Sequence, residues 1–132
     1  MTRWYVDTSA AAKLLVNEVE SDRLAQELDA TQPDLAACYL LETEVRRLVH
    51  RVGPLTHEAA TSFLDGVDLY EVPPSLFREA GFLPGENLRS LDAIHLAAAI
   101  RIGVDAVLTY DSRMRDAARD LGLAVVAPGM HD

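Results

Sequence analysis

Residues 4–16 read WYVDTSAAAKLLV, and the change of pattern within them decides the fold. Trp4 to Asp7 is a short run of aromatic and β-branched residues, which favours a strand. Thr8 to Val16 then turns Ala- and Leu-rich, which favours a helix. The same alternation continues outward. Ser21 to Leu28 reads as a helix, Asp34 to Cys38 as a weak second strand, and Tyr39 to Val52 as a strong helix stopped by Gly53-Pro54. Thr56 to Leu64 (helix), Asp68 to Val72 (strand, ended by Pro73-Pro74) and Ser75 to Phe82 (short helix) follow. Leu83 to Leu88 is a loop, and Leu91 to Ile102 an Ala-rich helix with Ser90 as its N-cap. Asp105 to Leu108 (strand), Ser112 to Leu121 (helix) and Leu123 to Val126 (strand) complete the series. Strands alternating with helices imply an α/β domain with a mostly parallel sheet.

The 132 residues suit one domain, 1–132, and 49% hydrophobic content argues against disorder. The single cysteine, Cys38, excludes an internal disulfide and fits a reducing compartment. No apolar run approaches the roughly 20 residues needed to span a bilayer, and MTRWYVDTSA lacks a signal-peptide core. The expectation is a soluble, cytoplasmic chain. Its net charge of −9 argues against a basic surface for nucleic acid. Clustered carboxylates can reverse that argument, because divalent cations held by them face a phosphate. The positions of the acids therefore matter more than their number.

In open α/β sheets the site lies beyond the carboxyl ends of the strands, where the strand order reverses. Asp7 ends the first strand and Asp111 follows the fourth. With a strand order of 3-2-1-4-5 these two acids face one crevice. Either can also serve simply as a helix N-cap. Asp92 falls in the first turn of an almost wholly apolar helix, where it complements the helix dipole or points into the same crevice. Glu42 and Glu44 cannot aim at one point, being about 200° apart on their helix. The apolar stripe of that helix, Leu41, Val45, Leu48 and Val52, centres roughly 65–70° from Glu44 and about 90° from Glu42, so Glu44 lies nearer the buried edge. The plain alternative for both is a solvated face paired with Arg46, Arg47 or Arg51.

These motifs, taken together and in order, resemble the PIN-domain family, specifically its VapC-type toxins. They are WYVDTSA at the start, TEVRR in the helix after the second strand, LRSLDAIHLAAA, and LTYDSRM. The resemblance implies that Asp7, Glu44, Asp92 and Asp111 coordinate Mg²⁺ or Mn²⁺, and that water activated there cuts RNA. It implies Thr8 and Ser9 as supporting hydroxyls beside Asp7, and Thr109 in a similar place near Asp111. It also implies a homodimer and a small VapB-like antitoxin whose C-terminal segment covers the acidic pocket. Arg89 and Arg113, each within a few residues of an expected ligand, are candidate phosphate contacts; surface solvation is the alternative.

Other features are weaker. His50, His57, His95 and His131 lack zinc-motif spacing. His95, one turn after Asp92, either packs on its helix against a neighbour or approaches the crevice. Cys38 reads as a small buried strand residue and Trp4 as core or interface; Leu83 to Asn87 reads as an interface or lid loop. A phosphoacceptor receiver domain needs an Asp after the third strand, where this chain has EVPP. A haloacid-dehalogenase-type phosphatase needs Asp-x-Asp after the first strand, where this chain has Asp7-Thr8-Ser9. A non-catalytic interaction module retaining the acidic pocket is the remaining alternative.

Overall fold

The computed structural model describes residues 1–130, so His131 lies outside the described residues. Five strands form one sheet: β1 (Arg3–Val6), β2 (Asp34–Cys38), β3 (Val67–Tyr70), β4 (Ala106–Leu108) and β5 (Val125–Val126). Every pairing is parallel and the order is β3-β2-β1-β4-β5, as expected. The helices are α1 (Thr8–Leu15), α2 (Ser21–Thr31), α3 (Leu40–Arg51), α4 (His57–Asp65), α5 (Pro74–Phe82), α6 (Ser90–Ile102) and α7 (Ser112–Asp120). None of them is long and apolar enough to cross a membrane.

The strands are buried by helices on their faces, so they read as apolar runs rather than alternating ones. Tyr5, Val6, Ala36, Ala37, Cys38, Val107 and Leu108 are all buried. Trp4 belongs to this core and is 5% exposed. The second strand is fully formed and pairs on both sides, which its two alanines and a cysteine do not announce. Its small side chains leave room for α6, the most buried helix, with Ala93, His95, Leu96, Ala97, Ala98 and Ala99 all inside. Gly103 ends α6 at φ +78°, a left-handed turn that glycine adopts without strain.

Several boundaries differ from the sequence expectation. Helix α2 runs to Thr31 rather than Leu28, ending where Gln32 turns left-handed before Pro33. A residue before proline is barred from the helical region, which sets that limit. Ser90 is the first residue of α6 and not its N-cap; Arg89 holds the cap position and its side chain makes no cap bond. Asp92 remains in the first turn. The last strand shrinks to Val125 and Val126.

Candidate active site

The chain passes from β3 to β4 across the sheet, so the strand order reverses between β1 and β4. Val6 and Leu108 are register partners at the carboxyl ends of these strands. The residues that follow, Asp7 and Thr109 to Asp111, are therefore carried to one place by backbone pairing alone. Asp7 caps α1, its Oδ1 accepting from the Ala10 N–H at 3.0 Å. Asp111 caps α7, its Oδ1 accepting from the N–H groups of Arg113 (2.9 Å) and Met114 (3.3 Å). The structural role weighed for each is thus realised, and it leaves the Oδ2 atom of Asp111 without a hydrogen bond among the described residues.

The hydroxyls are distributed differently from the expectation. Ser9 donates to Asp7 Oδ1 at 2.7 Å and accepts from the Tyr110 N–H at 2.8 Å, stitching α1 to the end of β4. Thr8, expected beside Asp7, donates instead to Glu44 Oε1 at 2.8 Å. On a helix, adjacent residues point about 100° apart, so Thr8 and Ser9 cannot serve one carboxylate. Thr109, expected near Asp111, donates to Asp7 Oδ2 at 2.5 Å and accepts from the Asp111 N–H at 3.1 Å. It is completely buried and joins the two strand-end acids.

Glu44 and Glu42 separate as the helix geometry indicates. Glu42 pairs with Arg46 one turn on, at 2.9 Å. Glu44 turns inward and meets His95 Nε2 at 2.6 Å. His95 is 2% exposed, and its Nδ1 lies 2.6 Å from the Tyr5 hydroxyl. That hydroxyl accepts from the Cys38 N–H (3.1 Å) and donates to Cys38 Sγ (3.3 Å). One connected network therefore ties β1, β2, α3 and α6 together behind the acids. His95 is the member that sequence reasoning passed over. Its one signal was its position three residues after Asp92 on a helix buried nearly all round, where a ring must find polar partners inside the protein.

The charges are finely set. Burial pushes Asp7 above the usual carboxylate range, partly offset by the bonds from Ser9, Thr109 and Ala10. Asp92 is also raised, first by burial and then by the negative charges of Asp111 and Glu44. Burial opposes ionisation of Glu44, but the bond and charge of His95 and the bond from Thr8 prevail and hold it low. Burial alone would pull His95 down; its bonds to Cys38 and Glu44 and the Glu44 charge outweigh that and push it up to about 10. The imidazole is then cationic at neutral pH, with Nε2–H assigned to Glu44 and Nδ1–H to Tyr5.

Linkage gives this pair a measurable pH signature. The raised His95 contributes stability that is complete below its unfolded value of 6.5 and lost as pH rises through about 10. The depressed Glu44 contributes stability that is complete above its unfolded value of 4.5 and lost on acidification below it. In chelator-treated protein the contribution of the pair is therefore greatest between pH 4.5 and 6.5. Thermal melts should show Tm falling on the order of 5 °C between about pH 6.5 and 9. That slope should be flattened in His95→Gln; an equal slope in both proteins would assign it elsewhere.

Divalent-cation chemistry fits the donor set. Glu44 receives both its bonds on Oε1 and Asp111 both of its on Oδ1, so Oε2 and Oδ2 are free of protein partners among the described residues. Asp92 receives none on either oxygen there, and its shift records that Asp111 and Glu44 are near enough to repel it. Such free, mutually repelling oxygens are hard ligands suited to Mg²⁺ or Mn²⁺. Among the described residues no group of three or more His, Cys, Asp or Glu side chains is gathered closely enough to hold an ion. That is compatible with Mg²⁺, which takes one or two carboxylates and keeps several waters. Beside the acids, not among them, lies a cavity of about 760 Å³ lined by Asn87, Arg89, Arg113, Asp116 and Asp120. Arg89 and Arg113 thus share one cleft between the loop before α6 and the face of α7.

A parallel α/β sheet with carboxylates at its switch point places an acidic site where open α/β domains bind their ligands. The PIN-domain family model matches residues 4–120 of this chain. Ribonuclease VapC46 of Mycobacterium tuberculosis is 44% identical over 130 residues, covering 97% of this chain and 99% of that one. The crystal structure of M. tuberculosis VapC20, a Sarcin-Ricin loop cleaving toxin, superposes with TM-score 0.71 at 21% identity, over 95% of this chain and 99% of that one. A toxin–antitoxin complex from Klebsiella pneumoniae superposes equally, at 0.71, with 18% identity over 96% and 98% of the two chains. The chain belongs to the PIN-domain family, in its VapC ribonuclease branch.

Proposed function

We propose that this chain is a Mg²⁺- or Mn²⁺-dependent endoribonuclease acting as the toxin of a type II toxin–antitoxin pair in the cytoplasm. The observation that carries the reading is the tethering of one oxygen each on Glu44 and Asp111 with the other left free, beside an unbonded Asp92, at the sheet's switch point. Asp7, Glu44, Asp92 and Asp111 would hold the cation. Bound there, it would make water more acidic and offset charge on the phosphodiester. The protein's own part is orientation. Ser9 and Thr109 fix both oxygens of Asp7, and Thr8 and His95 fix one oxygen of Glu44. Arg89 and Arg113 are cations beside an otherwise acidic cleft and would take the phosphates flanking the cut.

The toxin–antitoxin complex among the structural neighbours supports a VapB-like partner; such a partner would place an Arg or Lys among these carboxylates. A homodimer would bury exposed apolar side chains, and Phe77, Phe82, Leu91 and Ile100 of α5 and α6 are candidates for it. The decisive test is to induce the protein in its host, beside Asp7→Asn, and map new RNA 5′ ends across the transcriptome. Ends at a defined site that vanish in the variant are the expected result. Identical maps, with free uninhibited protein present in both cells, would favour a non-catalytic interaction module.

Charge reversal in the cleft gives a separate expectation. Arg89→Glu with Arg113→Glu should raise KM for RNA at least about tenfold and flatten its salt dependence, with kcat changed less. An unchanged KM would move the RNA path elsewhere.

A further inference from the structure

We propose that His95 is a positioning residue for the cation site: held by Tyr5, it grips Glu44 Oε1 so that Oε2 is presented for coordination. The inference rests on the metal-dependent reading above and goes beyond it, since the acids alone do not explain why Glu44 should sit still. A glutamate has three rotatable bonds, and ordering such a side chain costs on the order of 1–2 kcal/mol. Thr8, half-buried on α1, supplies one restraint at 2.8 Å. His95 supplies the shorter one, at 2.6 Å, from inside the protein.

The ring itself has little freedom. Nδ1 is fixed at 2.6 Å by Tyr5, which is 1% exposed, and the Tyr5 hydroxyl is fixed in turn by the backbone N–H of Cys38 at 3.1 Å. Tyr5 also meets the ring edge-on, with centroids 5.6 Å apart. The restraint on Glu44 thus runs through β1 to the backbone of β2, which is paired on both sides within the sheet. Both restraints fall on the same oxygen, so they orient the carboxylate without occupying Oε2. Fixed partners behind a ligand commonly set metal affinity in this way.

The test uses the full chain and reads metal binding without RNA. Free Mn²⁺ would be counted by electron paramagnetic resonance during titration of the parent, His95→Leu, His95→Gln and Tyr5→Phe. Leucine removes both ring bonds at similar volume and should weaken Mn²⁺ about 10- to 100-fold. Glutamine returns an N–H donor near the Nε2 position and should recover binding to within about threefold of the parent. Tyr5→Phe should give a smaller loss than leucine at position 95. A second readout is the ¹⁵N-correlated Nε2–H proton of His95, expected to be protected from exchange and to move on titration with Mg²⁺. Unaltered Mn²⁺ affinity in His95→Leu, or equal losses in the leucine and glutamine variants, would overturn the proposal. So would an Nε2–H signal indifferent to Mg²⁺. A parent that binds Mn²⁺ with this His95 dependence yet cuts no RNA would uphold the positioning role and sink the ribonuclease reading.

Discussion

Asp7→Asn should lose RNA cleavage by more than about 100-fold while its Tm stays level or rises. The lower bound follows from the usual cost of altering a residue one step behind a ligand, roughly 10–100-fold; a ligand should cost at least that. The stability half of the expectation comes from the local bonds. Asparagine keeps a carbonyl oxygen to accept from Ala10 N–H and Ser9, so the α1 cap survives. Its amide can donate to the Thr109 hydroxyl, which then serves as acceptor instead of donor. What disappears is a negative charge in a site 5% exposed, where burial already raises the carboxyl's pKa. Asp7→Ala is the contrasting variant: it should lose cleavage equally and about 1 kcal/mol of cap as well. Melts and single-turnover cleavage on the same samples decide the matter. Substantial cleavage by a folded Asp7→Asn would remove Asp7 from the site.

The parts of this arrangement legible in the sequence are those set by short-range periodicity. Strands alternating with helices indicate a parallel sheet but not its order; the order 3-2-1-4-5 is an assumption, and the structure has it, carrying Asp7 and Asp111 to adjacent strand ends. Helix angle favours Glu44 over Glu42 only by a small margin and the TEV motif of the resemblance selects it; the structure divides them the same way. The hydroxyls were less legible, because which carboxylate a threonine meets depends on how α1 leans on α3 and how β4 abuts β1. Thr8 and Thr109 both reach an acid other than the one nearest in sequence. His95 was least legible. Its partners lie 51, 57 and 90 residues away, on elements it meets only after the sheet and α6 have packed.

Divalent cation should itself be a large stabiliser of the parent. Asp92 is raised by the charges of Asp111 and Glu44, and Asp7 by burial, so the fold holds carboxylates in places that resist ionisation. A cation that binds them only in the folded state removes that opposition. At a concentration 100 times its dissociation constant it adds about 2.7 kcal/mol. For a domain of 132 residues that corresponds to a rise in Tm on the order of 10 °C. Excess EDTA should reverse the rise, and Ca²⁺ should reproduce it poorly if the site favours a small octahedral ion. Asp92→Asn separates this effect from general ionic screening. It deletes a free carboxylate that makes no hydrogen bond among the described residues, so it should raise the metal-free Tm while shrinking the Mn²⁺-induced gain. If Mn²⁺ raised the Tm of parent and Asp92→Asn equally, the bound ion would lie elsewhere and the repulsion at Asp92 would have no part in holding it.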